Sequence, residues 1–551
     1  MQQNPSISTA IEPAPIKPKV AWPLLLALAL GAFAYIVHAP MLGMTSDDYV
    51  TIFGTELTPI PAVHESLALG SYGKITPVRL LSQPFNGYVP LWIGLPAAHV
   101  LQVMLHLLTG LTLYFLLRRL GWTTVNSGWA SAFMLVTPGA IQAVTWWTAN
   151  LAISVSLIML LAAHAYLSWS RNPRRIGMLL LCCALCFFQL LFYELWLAGF
   201  IVFWAIELYI QPAGSSLFKT LIRSTKRASI TILPFILWVI LAKLTYTADH
   251  REAHVTLFRV PVVFISTQVR CLQSMLLQPW QNASIEGLKT LTSPAGMILG
   301  VISLLLLILS LRSEKYTESK GDDRKFPLGR ALMLAWLILL ASRMVFILQN
   351  GVAMHTRHNY GATVGVAIGL AACLAFTLNQ LKSLPAAQWV VRGVAGIVVI
   401  IFTLTSAGIS STFANTTRDE EGVYQALLPV AKNMDGRQVI LIKEPTAKVY
   451  LDHTFYDEFD GVWLEERLQF HNPKVFAYVV PDIQRDAATI TFRSRKHLGW
   501  LPPNAKISRH NTLPPALAIK PLDGDFEQLT FDNDQILLYE RVDGKFVRVE
   551  K

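Results

Sequence analysis

Two neighbouring carboxylates, Asp47 and Asp48, stand just beyond the first apolar run, within Thr45-Ser46-Asp47-Asp48-Tyr49. Adjacent carboxylates at the mouth of a membrane helix repel each other and lose hydration. A chain that keeps them there uses them on a cation, a metal or a proton. The plain alternative is a solvated loop with an Asx-type turn. Other ionisable residues also sit where charge is costly. Glu194 falls at the end of an apolar run, and Arg343 and Lys243 fall inside such runs. Arg79 and Arg357 lie in the loops between runs. Long basic side chains near helix ends can also simply snorkel to the headgroups. His99 and His106 are spaced to share one helix face. In a membrane helix such histidines are more often hydrogen-bonded packing residues than ligands. The Trp146-Trp147 pair reads first as an aromatic-belt anchor and second as a surface for stacking a sugar.

The elements that must position these residues are membrane helices. Of 551 residues, 53% are hydrophobic and 15% charged, against roughly 25% charged in soluble domains. Mean hydropathy is +0.44. Runs of about 20 apolar residues recur, each long enough to cross a bilayer. They predict eleven transmembrane helices over about 21–40, 97–117, 127–145, 150–169, 176–192, 195–210, 229–247, 294–311, 331–348, 361–381 and 388–408. Basic residues crowd the loops that this frame places inside, such as Arg171, Arg174 and Arg175. That sets residues 1–20 as a cytoplasmic tail, 21–410 as the membrane domain, and 41–95 and 248–293 as outer loops. From 411 charges become frequent. Short alternating strands follow at 438–442, 474–480, 488–493 and 535–540, so 411–551 reads as an extracytoplasmic α/β domain. The expected fold is a polytopic α-helical membrane protein with a C-terminal α/β domain outside.

The net charge of +11 does not point to nucleic acid, because the basic residues are dispersed in short clusters between apolar runs. Five cysteines form no zinc or disulfide pattern. The first apolar run lacks a cleavage-like site and reads as a retained helix.

Several ordered motifs resemble the GT-C glycosyltransferases, in particular bacterial relatives of the protein O-mannosyltransferases. They are Asp47-Asp48-Tyr49 after the first helix, Thr76-Pro77-Val78-Arg79-Leu80-Leu81-Ser82, and His99 to His106 followed by Leu117-Arg118-Arg119-Leu120. Thr137-Pro138 with Trp146, Glu194 at the outer end of the fifth helix, and Arg357-His358-Asn359-Tyr360-Gly361 complete the series. The stretches 439–442 and 459–461 are similar to the outer domain of such proteins. The chain departs from the family's pattern at Thr76, Tyr193, Gln142 and Asn150-Leu151, where the family carries charge.

The resemblance implies a GT-C-like membrane domain that transfers a sugar, with inversion, from a polyprenyl-phosphate carrier to a glycan, lipid or protein acceptor outside the cytoplasm. Such chemistry needs a carboxylate to take the acceptor's proton and positive groups to stabilise the departing phosphate. Asp47, Asp48 and Glu194 are the catalytic candidates, with Asp47 as base and Asp48 as the second carboxylate. Arg357, Arg343, Arg79 and Lys243 are the candidates for the donor phosphate. His99, His106, Trp146 and Tyr360 are candidates for lining the substrate. No cofactor is certain. A divalent metal could bind the paired carboxylates, although the pattern offers no third oxygen ligand. The expected partners are the lipid-linked sugar, membrane lipid and an outer acceptor, and the expected location is a bacterial inner membrane. Two rival readings stand: a transporter or flippase of a lipid-linked sugar, and a non-catalytic scaffold with this fold. Charges clustered towards one face favour chemistry there over transport, which would put them near the midplane in broken helices.

Overall fold

The computed structural model describes residues 21–44, 48, 52, 79–211 and 216–245, parts of 266–348, residues 356–443 and parts of 448–549. Fifteen described α-helices lead in chain order to the strands. They are α1 (Trp22–Gly31), α2 (Arg79–Ile93), α3 (Leu95–Arg119), α4 (Thr124–Val136), α5 (Gln142–Thr145), α6 (Leu151–Arg171), α7 (Ile176–Phe192) and α8 (Phe200–Ile210). Then come α9 (Leu217–Ala228), α10 (Leu233–Thr245), α11 (Trp280–Leu288), α12 (Pro294–Arg312), α13 (Leu328–Leu348), α14 (Tyr360–Gln380) and α15 (Pro385–Lys432). Among the described residues, seven helical segments are long and apolar enough to cross a membrane. Two shorter apolar helices, α7 and α8, join them. The protein is a polytopic helical membrane protein with a C-terminal sheet domain.

Each of the eleven expected helices has an observed counterpart, and two differ in an instructive way. The expected helix over 127–145 is broken. α4 stops at Val136, Thr137 turns to extended backbone, and Pro138 opens a short 3₁₀ turn before α5. Proline disfavours helical backbone at the residue before it and cannot donate to the ladder. The last expected helix continues to Lys432 as part of the 48-residue α15 and carries Gly422 and Pro429 within it; Arg418, Glu420 and Glu421 are good helix formers.

Two helices also lie within the stretches expected as outer loops. α2 carries Pro84 and Pro90 and leaves Trp92 exposed. It turns into α3 at Gly94, whose φ of +81° only glycine adopts without strain. α11 packs on α15 at very close range. A Cβ at Gly287 would stand 1.9 Å from the Leu404 carbonyl oxygen, and one at Gly408 would stand 1.8 Å from that of Ala283. A hydrogen bond from Ser284 to Thr405, at 2.8 Å, joins the same faces.

The sheet domain holds β1 (Val439–Lys443), β2 (Lys448–Tyr450), β3 (His453–Phe455), β4 (Phe476–Val480), β5 (Gln484–Arg485), β6 (Thr489–Arg495), β7 (Ala518–Pro521), β8 (Phe526–Asp532), β9 (Ile536–Val542) and β10 (Lys545–Arg548). One sheet runs β10-β9-β1-β4, with β1 parallel to both neighbours. β1 is apolar and buried from Val439 to Ile442, as a central parallel strand covered on both faces must be. The second sheet, β5-β6-β8-β7, is antiparallel. Phe492 and Phe531 stack across it with ring centroids 5.7 Å apart. The lower end of α15 joins this domain. Asn472 Nδ2 donates to the Ala431 and Met434 carbonyls, each at 2.8 Å. The Arg467 guanidinium lies 3.6 Å above the Tyr424 ring and bonds Glu421 at 2.8 Å.

Candidate functional site

Asp48 is fully buried, which removes the solvated-turn reading for this residue. Its Oδ1 accepts the backbone N–H of Thr148 at 2.7 Å. Thr148 opens the 3₁₀ turn Thr148–Asn150, which runs directly into α6. The first N–H groups of a helix lack partners of their own and carry partial positive charge, so a carboxylate is their favoured acceptor. Asp48 therefore acts as a remote cap, tying the segment after α1 to the start of α6. Asp47 and Thr76 lie outside the described residues.

A set of buried amides holds the same corner. Asn86, from α2, donates from Nδ2 to the Thr148 carbonyl at 3.3 Å. Its own carbonyl accepts Trp147 Nε1 at 2.8 Å. Asn150 Nδ2 donates to Asn86 Oδ1 at 3.1 Å and to the Trp147 carbonyl at 2.6 Å. Trp147 stacks on Phe85. Trp146 and Trp147 are both buried inside the protein, so neither ring sits at a lipid-facing belt as first read. Each of these bonds matters, because leaving a buried amide group unbonded costs about 1–3 kcal/mol.

The two histidines of α3 both point into the bundle and are buried. His99 Nε2 lies 3.3 Å from the Gly43 carbonyl and Nδ1 lies 3.1 Å from Gln102 Oε1. Gln102 Nε2 in turn donates to the Ala143 and Trp146 carbonyls at 2.6 and 2.7 Å. The Gly43 N–H donates to Thr417 Oγ1 at 2.9 Å, so the approach to the Asp pair is held between α3 and α15. Lower down, His106 Nε2 meets the Leu135 carbonyl at 3.0 Å, and Nδ1 meets the Tyr360 hydroxyl at 2.7 Å. A carbonyl can only accept, so Nε2 carries the proton and Tyr360 donates to Nδ1. Both partners are buried, and the pair joins α3 to the start of α14 in the manner of a packing contact.

Two of the four basic candidates, Arg343 and Arg357, belong to elements that meet at the start of α14. Arg343, near the end of α13, is fully buried. Its Nη1 donates to the His358 carbonyl at 3.2 Å and to Asn359 Oδ1 at 2.9 Å. These acceptors belong to the 3₁₀ turn Thr356–Asn359, which also carries Arg357. That turn contacts the Pro138–Ala140 turn and α5. Glu194 starts the 3₁₀ turn that closes α7 and is half-buried. Two residues on, Trp196 donates to Ser156 Oγ of α6 at 3.1 Å and packs against Gly361. The elements bearing Asp48, Glu194, Arg343 and Arg357 thus converge at one end of the bundle, around the start of α6 and the start of α14. Arg79 is the first residue of α2 and Lys243 lies in the last turn of α10. The side chains of Arg79, Lys243 and Arg357 lie outside the described residues. Among the described residues no three His, Cys, Asp or Glu side chains converge as a metal site.

Asn86, Gln102 and Thr148 were not singled out from the sequence. Gln102 had a signal, a lone amide between two histidines in an apolar run. Thr148 had none, because its backbone N–H is what binds Asp48.

The arrangement is that of a polytopic membrane protein with one set of buried polar groups around the starts of α6 and α14. No protein-family model and no curated protein matches the chain. Two solved structures are similar to it, both of ArnT from Cupriavidus metallidurans. The form bound to undecaprenyl phosphate is 15% identical, with a TM-score of 0.33 and coverage of 92% of this chain and 97% of that one. The apo form is 14% identical, with a TM-score of 0.34 and the same coverage of 92% and 97%.

Proposed function

We propose that the chain is a membrane glycosyltransferase of the GT-C type, moving a sugar from a polyprenyl-phosphate carrier to an acceptor on the outer side of the membrane. The observation that supports this reading is the convergence of the Asp48, Glu194, Arg343 and Arg357 elements at one end of the bundle. The motif order in the sequence adds to it, and the finer link to protein O-mannosyltransferases rests on those motifs alone.

In this reading Asp47 takes the acceptor hydroxyl's proton onto a carboxylate oxygen. The acceptor oxygen bonds the anomeric carbon as the bond from that carbon to the phosphate oxygen breaks, and the electron pair leaves with the lipid phosphate. In the same reading Arg357 supplies positive charge to the departing phosphate, and Arg343 holds the turn that carries Arg357. Asp48 is the tether, since one of its oxygens is already engaged at the start of α6.

The test is transfer from a labelled polyprenyl-phosphate sugar in membranes containing the protein. Asp47→Asn is expected to lower transfer by about 10²-fold or more, the usual worth of a positioned general base. Full transfer in Asp47→Asn, with correctly folded protein, would overturn the assignment of the base. Absence of transfer by wild type with every carrier sugar offered would overturn the function.

A further inference from the structure

At the opposite end of the bundle, α9 has three distinct faces. Ser224 and Ala228 are buried against the bundle. Phe218, Leu221 and Ile222 share a second face and stay 70%, 41% and 52% exposed. Lys219, Arg223 and Lys226 line a third face and are exposed. Among the residues of α9 there is no acid.

The helix is anchored at one point. Arg227 Nη1 lies 3.4 Å from Glu207 Oε2, and its Nη2 donates to the Ser170 carbonyl at 2.9 Å. Glu207 is fully buried and also accepts Tyr166 Oη–H at 3.0 Å and the Ser170 hydroxyl. Buried charge of this kind holds one geometry or none. Ser170 is one residue before the end of α6 and Glu207 lies in the last turn of α8, so α9 sits at the bundle end away from Thr148 and Asp48. α10, whose outward residues Leu233, Ile236, Leu237 and Ile240 are exposed and apolar, follows directly.

We infer that α9, the basic end of the apolar helical segment Phe218–Leu241, binds anionic phospholipid headgroups in the leaflet opposite the Asp48 corner. Apolar Phe218 and Ile222 fit the acyl boundary. The basic row beside them fits a negatively charged surface, and the third face is already taken by protein. Three cations with no acid on their helix are the charge complement of anionic headgroups, each favouring binding by about five-fold near such a surface.

Full-length protein purified in mild detergent can be titrated with phosphatidylglycerol or phosphatidylcholine, with retained lipid read by native mass spectrometry and stability read by thermal shift. Wild type is expected to retain phosphatidylglycerol and to be stabilised by it, with phosphatidylcholine giving neither effect. The triple variant Lys219→Gln, Arg223→Gln, Lys226→Gln should lose at least ten-fold in phosphatidylglycerol retention. The charge-preserving pair Lys219→Arg, Lys226→Arg should behave as wild type, which separates headgroup binding from a folding defect. Equal retention by the triple variant, or equal retention of the two lipids by wild type, would overturn the inference.

Discussion

At the residue scale, Asp48 is a carboxylate with a structural job. Asparagine keeps an oxygen that can accept the Thr148 N–H, whereas alanine does not. Asp48→Asn should therefore fold like wild type, and Asp48→Ala should be less stable than Asp48→Asn by about 1 kcal/mol, the cost of losing a helix cap. Equal melting temperatures for the two variants would show that the bond to Thr148 contributes nothing. The His106–Tyr360 pair makes a second prediction. Both partners are buried and bonded to each other, so His106→Phe and Tyr360→Phe should couple in a double-mutant cycle by about 1 kcal/mol. Additive effects would deny the contact. The role of Asp48 was not visible in the chain's order, whereas a hydrogen-bonded packing role for His106 was the first reading and only its partner went unread. The partner of Asp48 is a backbone group 100 positions away, and backbone groups leave no mark in a sequence. The burial of Arg343 was more legible, because an arginine within an apolar run announces its own cost.

At the element scale, the contact of α11 with α15 admits no Cβ. Gly408→Val and Gly287→Ala should each destabilise by more than about 3 kcal/mol, as overpacking against rigid backbone does at its worst. Gly393, in the same long helix, has open space around it. Gly393→Ala should leave stability unchanged or raise it by up to about 1 kcal/mol. Thermal melts of the three variants in detergent would decide this. In the sheet domain, the Asp486 carboxylate accepts the Thr489 and Ala488 N–H groups at 2.7 and 2.9 Å and the Thr489 hydroxyl at 2.8 Å. Those bonds hold it below the usual carboxylate range, the Thr489 backbone N–H first among them. A depressed folded value contributes stability above the unfolded value, lost as pH falls through the folded one. The wild type should thus lose stability on acidification relative to Asp486→Ala, and parallel pH–stability curves would refute it. Apolar runs marked nearly every membrane helix in advance. They failed where punctuation and composition disagreed: Pro138 cut a largely apolar run, and the charged stretch Arg418-Asp419-Glu420-Glu421 hid the continuation of the helix to Lys432.

At the scale of the whole molecule, the join between helix and sheet is polar. Asn472 satisfies two carbonyls at the end of α15, so Asn472→Ala should loosen that end by about 1–3 kcal/mol. Faster limited proteolysis between α15 and β1, with the bundle intact, is the expected readout. Unchanged cleavage would show that the Arg467 contacts to Tyr424 and Glu421 suffice. β1, β4, β6 and β9 were legible as alternating or wholly apolar runs, whereas β7 and β10 carry too little apolar pattern to announce themselves. The parallel pairing of β1 with strands far along the chain also lies beyond local pattern.

α15 also has a length. Its 48 residues, at about 1.5 Å each, make a rod about 70 Å long, more than twice the thickness of the hydrocarbon layer, about 30 Å. One unbroken piece of chain is both bilayer span and pedestal, and it works as a ruler with a catch at Thr417. Four residues inserted beyond the catch should lift the sheet domain by about 6 Å and leave Gly43 where it is. The same insertion before the catch should carry Thr417 a full turn away from Gly43 and release the approach to the Asp pair. Two insertions of equal length in one helix therefore separate the height of the sheet domain from the setting of the Asp48 corner.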